Sequence, residues 1–585
     1  MIRKVFSIAT KVFWLLPGFL LWASFPPMAE TTDCLFALAP LLWLVRRADA
    51  KRSFRTWFLN GLLFWVATLA WMPAIVKNGG PWPLVVLGWG ALAAYCALYF
   101  GAFGFLAARY WGWAREHDSV LGERRGGGYA RRLLGVLVVE PVLWAGLEIV
   151  RSRLFGGFAW NQLGVAPVNA GFGSPAAFGG VYLVSMAVIW VNGSIAGIAE
   201  RMWRPERSGF VSLKRFGTLE TICVIAILFG LYNLPNPVTP DPNPESPLSV
   251  ALVQRNFPCV FDRDRRENPA EVYSNLLSRV ALLKPELVVL PESAACEAGP
   301  VDAVRGEVFA RFVMALGDAG SVLMGGMRAD GGREYNSAAL YVRDPESSSV
   351  RLAGVYDKVH LVPFGEFIPG DKLIPALQKL APVGSCTPGT LKVLDLPRSA
   401  SAPIPNPSSP IPHPQSPIPN PQSLIPNPQS PVPNPSSPIP LGVAICFEDT
   451  DSAQMRRLAE AGARVLVFIT NDSWFSRSDE TMQHSWQARA RAIETGLPVV
   501  RVGNSGVTGT IAPDGTVSWL AESGRPVVDR AGSMFDRVVP APEGVRTPYV
   551  RLGDKPALFA FLLLLMAMFL VKYRTYYEKR RTLSL

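Results

Sequence analysis

Apolar residues run almost unbroken through eight stretches of the chain: 12–27, 34–45, 56–76, 83–108, 133–150, 176–199, 217–234 and 556–571. A helix needs about 20 apolar residues to cross the hydrocarbon layer. The first two stretches are shorter and could form a re-entrant pair, and Pro17, Pro26 and Pro27 interrupt the first. The pattern then changes. SVALVQ (249–254), ELVVLPE (286–292), SVLMGGM (321–327), SAALYV (337–342), GVAICFE (442–448), VLVFITN (465–471) and PVVRVGN (498–504) are short β-type runs, whereas 269–283 and 480–495 have helical composition. Apolar strands alternating with helices predict an α/β domain with its sheets buried by helices.

The chain therefore divides into a multi-pass α-helical membrane domain of about seven transmembrane helices over 1–234 and a Pro-rich linker over 235–247. An α/β domain over 248–545 follows, then a last helix at 556–571 and a basic tail at 572–585. The first apolar stretch does not read as a cleaved signal peptide, because no small-residue cleavage site follows it and further spans come at once.

Charge adds an orientation. Basic residues gather before the first stretch (Arg3, Lys4, Lys11), between the second and third (Arg46, Arg47, Lys51, Arg52, Arg55) and between the fourth and fifth (Arg109, Arg115, Arg124, Arg125, Arg131, Arg132). They gather again between the sixth and seventh (Arg201, Arg204, Arg207, Lys214, Arg215) and after the eighth (Lys572, Arg574, Lys579, Arg580, Arg581). The alternate loops are poor in charge. Basic loops stay in the cytoplasm, so both termini are expected inside and the α/β domain outside.

Composition agrees. Of 585 residues 49% are hydrophobic and 18% charged, against roughly 25% charged in soluble domains. Mean hydropathy is +0.21. The net charge of +11 is spent on topology; no nucleic-acid-binding motif accompanies it, so no nucleic-acid partner is expected. The seven cysteines form no CxxC pair, and only four His exist, which argues against a structural zinc site; no metal or cofactor is expected. The odd count leaves at least one thiol free or paired with another molecule, and a disulfide among Cys259, Cys296 and Cys386 stays open. Residues 404–438 are five copies of a heptapeptide such as IPNPQSP, and 16 of the 52 Pro lie in 403–440. Such a segment cannot pack a core. It reads as a disordered or polyproline insertion looping out of the α/β domain, reaching on the order of 100 Å if extended.

Three places carry candidate chemistry. VVLPES puts Glu292 past a buried strand, GVYDKVHLVPFGEFIP puts Lys358 in a polar turn with Glu366 eight residues on, and GVAICFED puts Cys446 at the end of another strand, before Phe447 and Glu448. Ionisable groups at the carboxyl ends of core strands converge on one crevice. A thiolate is the nucleophile, a nearby ammonium favours it, and a carboxylate can take and return its proton. Each residue alone has a dull explanation: a buried apolar Cys, a solvated Lys, a helix-capping Glu. The ordered set favours acyl transfer through a thioester.

On these motifs, residues 248–540 resemble the nitrilase (carbon–nitrogen hydrolase) superfamily with its Glu–Lys–Cys triad. With its helices, the whole chain resembles the apolipoprotein N-acyltransferase family. The likeness extends to SFPP, VQRN at 253–256, NDSWF at 471–475, HSWQARARAIETGLPVVRVGNSG at 484–506 and GTIAPDG at 509–515. The resemblance implies an αββα sandwich, a bacterial inner-membrane location with the catalytic domain periplasmic, and a ping-pong transfer from a phospholipid acyl donor to the α-amine of a diacylglyceryl apolipoprotein. Glu292 would be base, Lys358 oxyanion stabiliser and Cys446 nucleophile, supported by Glu366, Glu448 and Phe447. Phe261 would replace a family Trp, and Phe261, Trp474 and Asn504 are candidate substrate-binding residues. PFGEFIPGDKLIPAL (363–377) and SWFS (473–476) are candidate apolar lids, and GGFAWNQLG (156–164) is either an interfacial aromatic belt or the lip of a lipid-entry site. The rival readings are a membrane-anchored amidase using water and a non-catalytic membrane scaffold.

Overall fold

The computed structural model describes residues 14–121, 127–202, 212–234, 247–256, 269–295, 320–343, 350–370, 385–398, 437–475 and 477–583. Phe261, Cys259, Cys296, most of the Pro repeat and part of each candidate lid lie outside these residues.

Among them, five helices are long and apolar enough to cross a membrane: Ala50–Asn78, Trp82–His117, Ala130–Arg151, Ala176–Glu200 and Lys555–Tyr573. By that measure the expected count of eight is not reached. The first two stretches form short pieces, Leu16–Ala23, Cys34–Ala37 and Ala39–Val45, and the seventh contributes the shorter apolar helix Thr221–Tyr232. Proline explains the short pieces. Pro17 and Pro40 stand at helix starts, where the missing N–H costs nothing, and within a longer helix each would break the ladder.

Polar side chains tie the broken pieces down. Asn192 accepts from the Leu38 backbone N–H at 2.8 Å and donates to the Cys34 carbonyl at 2.8 Å. Asn60 accepts from the Gly18 N–H at 2.9 Å. Leu21, Phe25, Trp57, Phe64, Phe103 and Leu143 build one buried cluster across these helices.

The α/β part contains two six-stranded sheets. The first runs β14–β1–β2–β3–β4–β5, with β1 Leu248–Gln254, β2 Leu287–Val289, β3 Ser321–Asp330, β4 Arg333–Arg343, β5 Val350–Asp357 and β14 Gly532–Val538. The second runs β11–β10–β9–β8–β7–β6, with β6 Leu394–Leu396, β7 Ile439–Ile445, β8 Val465–Thr470, β9 Val499–Gly503, β10 Gly509–Ile511 and β11 Val517–Trp519. A short hairpin, β12 Ala521–Glu522 with β13 Arg525–Pro526, completes the set.

The two-residue period of a strand decides the layers. Val250, Leu252, Leu287, Val289 and Leu323 of the first sheet meet Leu441, Val443, Ile445, Val467 and Ile469 of the second in one core. Ala251, Val253, Val288 and Val322 face the helix Pro269–Ala281 on one side. Ala444, Leu466 and Phe468 face the helices Ser452–Glu460 and Glu480–Thr495 on the other. The layering is helix, sheet, sheet, helix, as the family resemblance implies. Strand β1 runs parallel to β2 and β2 to β3, and β7 runs parallel to β8 and β8 to β9. Their carboxyl ends therefore open on common edges.

The helix Glu480–Thr495 seats this sandwich on the membrane part. Gln483 donates to the Pro26 and Thr68 carbonyls at 3.0 and 3.2 Å and accepts from the Trp160 and Trp71 indoles at 2.9 and 3.3 Å. Farther along, Glu494 accepts from the Val181 N–H at 2.7 Å and Asn169 donates to the Trp486 carbonyl at 3.2 Å.

Candidate active site

Each candidate residue follows a strand. Chain leaving β2 passes through Leu290 and Pro291 to Glu292, which is 7% exposed. Gly325 of β3 runs so close behind that a Cβ there would meet the Glu292 Cα at 2.7 Å. Lys358 follows β5 directly and is 1% exposed. The sequence reading placed it in a polar turn; the difference is strand β5, whose half-buried, mixed composition hides it from a search for apolar runs. Cys446 follows β7 with φ +54, the left-handed region that costs a non-glycine residue roughly 1–2 kcal/mol. The residue as a whole is half-buried.

The three residues converge. Lys358 Nζ lies 3.0 Å from Glu366 Oε1 and 3.7 Å from Glu292 Oε1. Asn336 of β4 donates to Glu292 at 2.7 Å and to Glu366 at 2.6 Å. Cys446 and Glu292 are near enough to shift one another's titration. Burial pushes the Cys446 thiol well above its ordinary value and the Glu292 charge adds to this, while Lys358 opposes both. Burial likewise raises Glu292, against Lys358. Burial alone would lower Lys358, but Glu366 and then Glu292 hold its ammonium above the usual range. The resting site therefore carries a firmly protonated lysine between carboxylates, beside a neutral thiol.

Glu448 does a different job from Glu366. It accepts from the backbone N–H groups of Val359 at 2.7 Å, His360 at 2.9 Å and Ile445 at 2.8 Å, and from the Tyr356 hydroxyl at 3.0 Å. One buried carboxylate thus holds the Lys358 loop against the Cys446 turn. Glu448→Gln turns one acceptor into a donor facing these N–H groups. It is expected to cost about 1–3 kcal/mol, read as a lower thermal unfolding midpoint.

Phe447 stacks on Phe158 at 5.8 Å and on Trp160 at 6.4 Å between ring centroids, so these two residues of the stretch 156–164 lie against the Cys446 turn. Trp474 is half-buried, and its carbonyl accepts from Asn78 at 2.8 Å. Asn504 donates to Asn471 at 3.0 Å and to Ser473 at 3.2 Å, bracing the turn that carries Trp474. Asn336 and Tyr356 escaped the sequence reading. Their only signal is a polar or hydroxyl group within a strand, which becomes legible once the facing carboxylates are known.

Known proteins resemble this chain in both of its parts. Residues 249–526 match the carbon–nitrogen hydrolase family model and residues 17–194 that of the apolipoprotein N-acyltransferase N-terminal domain. The apolipoprotein N-acyltransferase of Geobacter metallireducens is 29% identical over 520 residues, covering 86% of this chain and 85% of the relative. That of Photobacterium profundum is 25% identical over 590 residues, covering 98% and 97%. Among solved structures, an amidase variant from Nesterenkonia sp. AN1 is 15% identical with a TM-score of 0.34, covering 53% of this chain and 95% of that one. The α/β part is similar to carbon–nitrogen hydrolases and rests on an apolar helical base. Over most of its length the chain is similar to apolipoprotein N-acyltransferases.

Proposed function

We propose that the protein transfers an acyl chain from a phospholipid to the α-amino group of the diacylglyceryl-cysteine at the N-terminus of an apolipoprotein, through a thioester on Cys446. The observation that carries this is Cys446 beside Glu292, with buried Lys358 between Glu292 and Glu366, all against an aromatic wall from the membrane part. Glu292 takes the thiol proton as sulfur attacks the ester carbonyl. Lys358 stabilises the oxyanion of the tetrahedral intermediate. Collapse breaks the ester C–O bond, Glu292 returns the proton, and a lysophospholipid leaves. The amine then attacks the thioester, its proton passes to Glu292, and the C–S bond breaks to restore the thiol.

The domains are those read from the sequence, with all eight apolar stretches in the membrane, the first two as short broken segments. The basic loops lie in the cytoplasm and the 248–545 domain on the periplasmic side of a bacterial inner membrane, where both substrates are lipid-anchored. Apolar surroundings keep water from the thioester.

Detergent-purified protein given labelled phospholipid without acceptor should accumulate an acyl adduct on Cys446, and a diacylglyceryl peptide should discharge it as an amide. No adduct, with ammonia released from simple amides, would establish the water-using reading instead. The adduct's rate should also fall on acidification. Glu292 must be ionised to accept the proton, and burial raises its folded pKa, so the acid limb should lie above the ordinary Glu value of about 4.3. A stopped-flow or quenched pH series finding that limb at or below the ordinary value would remove Glu292 as the base.

A further inference from the structure

Behind the nucleophile turn lies a second cluster that the proposed chemistry does not use. His484, on the helix Glu480–Thr495, is 1% exposed. Its Nε2 lies 2.9 Å from Asp449 Oδ1 and its Nδ1 lies 2.9 Å from Asp472 Oδ1. Asp449 belongs to the Cys446–Thr450 turn and Asp472 to the turn before Trp474. Arg501 of β9, itself fully buried, bridges the same two carboxylates from the other side. Glu480 approaches Nδ1 at 3.4 Å, and the Trp160 ring lies 5.4 Å from the imidazole. Asp472 also presses on Gly506, where a Cβ would meet its Oδ2 at 1.8 Å, so the backbone is shaped to admit it.

An imidazole flanked by a carboxylate at each nitrogen must donate from both, and only the imidazolium does that. Asp472, Glu480 and His484 bring their donor atoms close enough to hold a metal ion, but a doubly donating imidazole has no lone pair to offer one. Resting on the reading of Cys446 as nucleophile, we propose that His484 is a positioning residue: as an imidazolium paired with Arg501 it balances Asp449 and Asp472, fixing the nucleophile turn and keeping net negative charge away from the sulfur.

The titration of the surrounding groups fits. Burial alone would lower His484, yet Asp449 and Asp472 carry it to about 10 against Arg501. Burial would raise Asp472, but His484 and then Arg501 hold it below the usual range. Glu480 is pushed well above the usual range by burial and by Asp472, against His484 and Arg501. His484 and Arg501 face Asp449 and Asp472. Cys446, with Glu292, Lys358 and Glu366 around it, feels Asp472 directly and Arg501 as well.

The test measures the thiol itself. Alkylation of Cys446 by iodoacetamide, followed at the Cys446 peptide by mass spectrometry across pH, needs no acyl transfer. His484→Gln leaves one cation against two carboxylates and should slow alkylation roughly tenfold at fixed pH. Asp472→Asn leaves two cations against one carboxylate and should speed it by a similar factor. The double variant should return towards wild type, and Glu480→Gln should leave the profile in place. A merely structural role predicts no such reversal of sign. If His484→Gln does not fold, Asp472→Asn alone decides: an unchanged or slowed profile overturns the proposal, as does failure of the double variant to restore the rate. Wild-type protein that alkylates as described but forms no acyl adduct would overturn the acyl-transfer reading and leave this one standing.

Discussion

Replacing Cys446 with Ala is expected to abolish the acyl adduct and lower amide formation by at least about 10⁴-fold, because the thiol that would carry the thioester is gone. The fold should survive, since the side chain is small and partly exposed. The backbone makes the prediction sharper. Residue 446 sits at φ +54, where a Cβ is strained and glycine is not. Cys446→Gly should therefore be as inactive as Cys446→Ala yet more stable by about 1 kcal/mol. Intact-mass detection of the adduct and thermal unfolding in detergent measure the two quantities separately. Residual adduct at another residue would place the nucleophile elsewhere. A Gly variant less stable than the Ala variant would mean that the turn is not strained.

Lys358→Met carries the second large effect. It removes the cation between Glu292 and Glu366 while keeping the volume. With this donor for the oxyanion and this charge favouring the thiolate removed, transfer should fall by at least about 10²–10³-fold. Leaving carboxylates buried without a partner typically costs about 3–5 kcal/mol. The sign with pH follows. The ammonium's folded pKa is raised, so its contribution in the wild type is complete below the unfolded lysine value and is lost only as pH rises through the higher folded one. In the variant, Glu292 is raised further by losing Lys358. The variant's deficit is then largest at neutral pH and above, and shrinks as acid protonates the carboxylates. Unfolding midpoints at pH 5 and pH 8 should differ more for the variant than for the wild type. Equal deficits at both would show that Lys358 contributes packing rather than charge.

How much of the site was legible varied with the kind of signal. Glu292, Cys446 and Glu448 border β2 and β7, whose continuous apolar runs are visible without coordinates. Strand β5 is mostly half-buried, with only Tyr356 buried, and is easily taken for loop, so Lys358 seemed solvated although it is buried. Asn336, which joins Glu292 to Glu366, lies in strand β4 paired on one side with β3 and on the other with β5; no local pattern distinguishes it from any polar strand residue. His484 is in the same position: within HSWQARAR its role is invisible, because its partners are 35 and 12 residues away.

The sequence by itself determined what local periodicity and charge can encode: long apolar helices, an α/β domain with its sheets buried by helices, and Glu292 and Cys446 each past the end of an apolar strand. These follow from interactions between near neighbours, and they are read in units of two or about 3.6 residues. Only the tertiary structure decided which carboxylate serves which partner. Glu366 and Glu448 look alike in the chain, yet one meets the Lys358 ammonium while the other holds backbone N–H groups of two loops. Burial also came only with the fold. It is burial that turns ordinary Glu, Lys, Cys and His side chains into groups whose charges depend on one another.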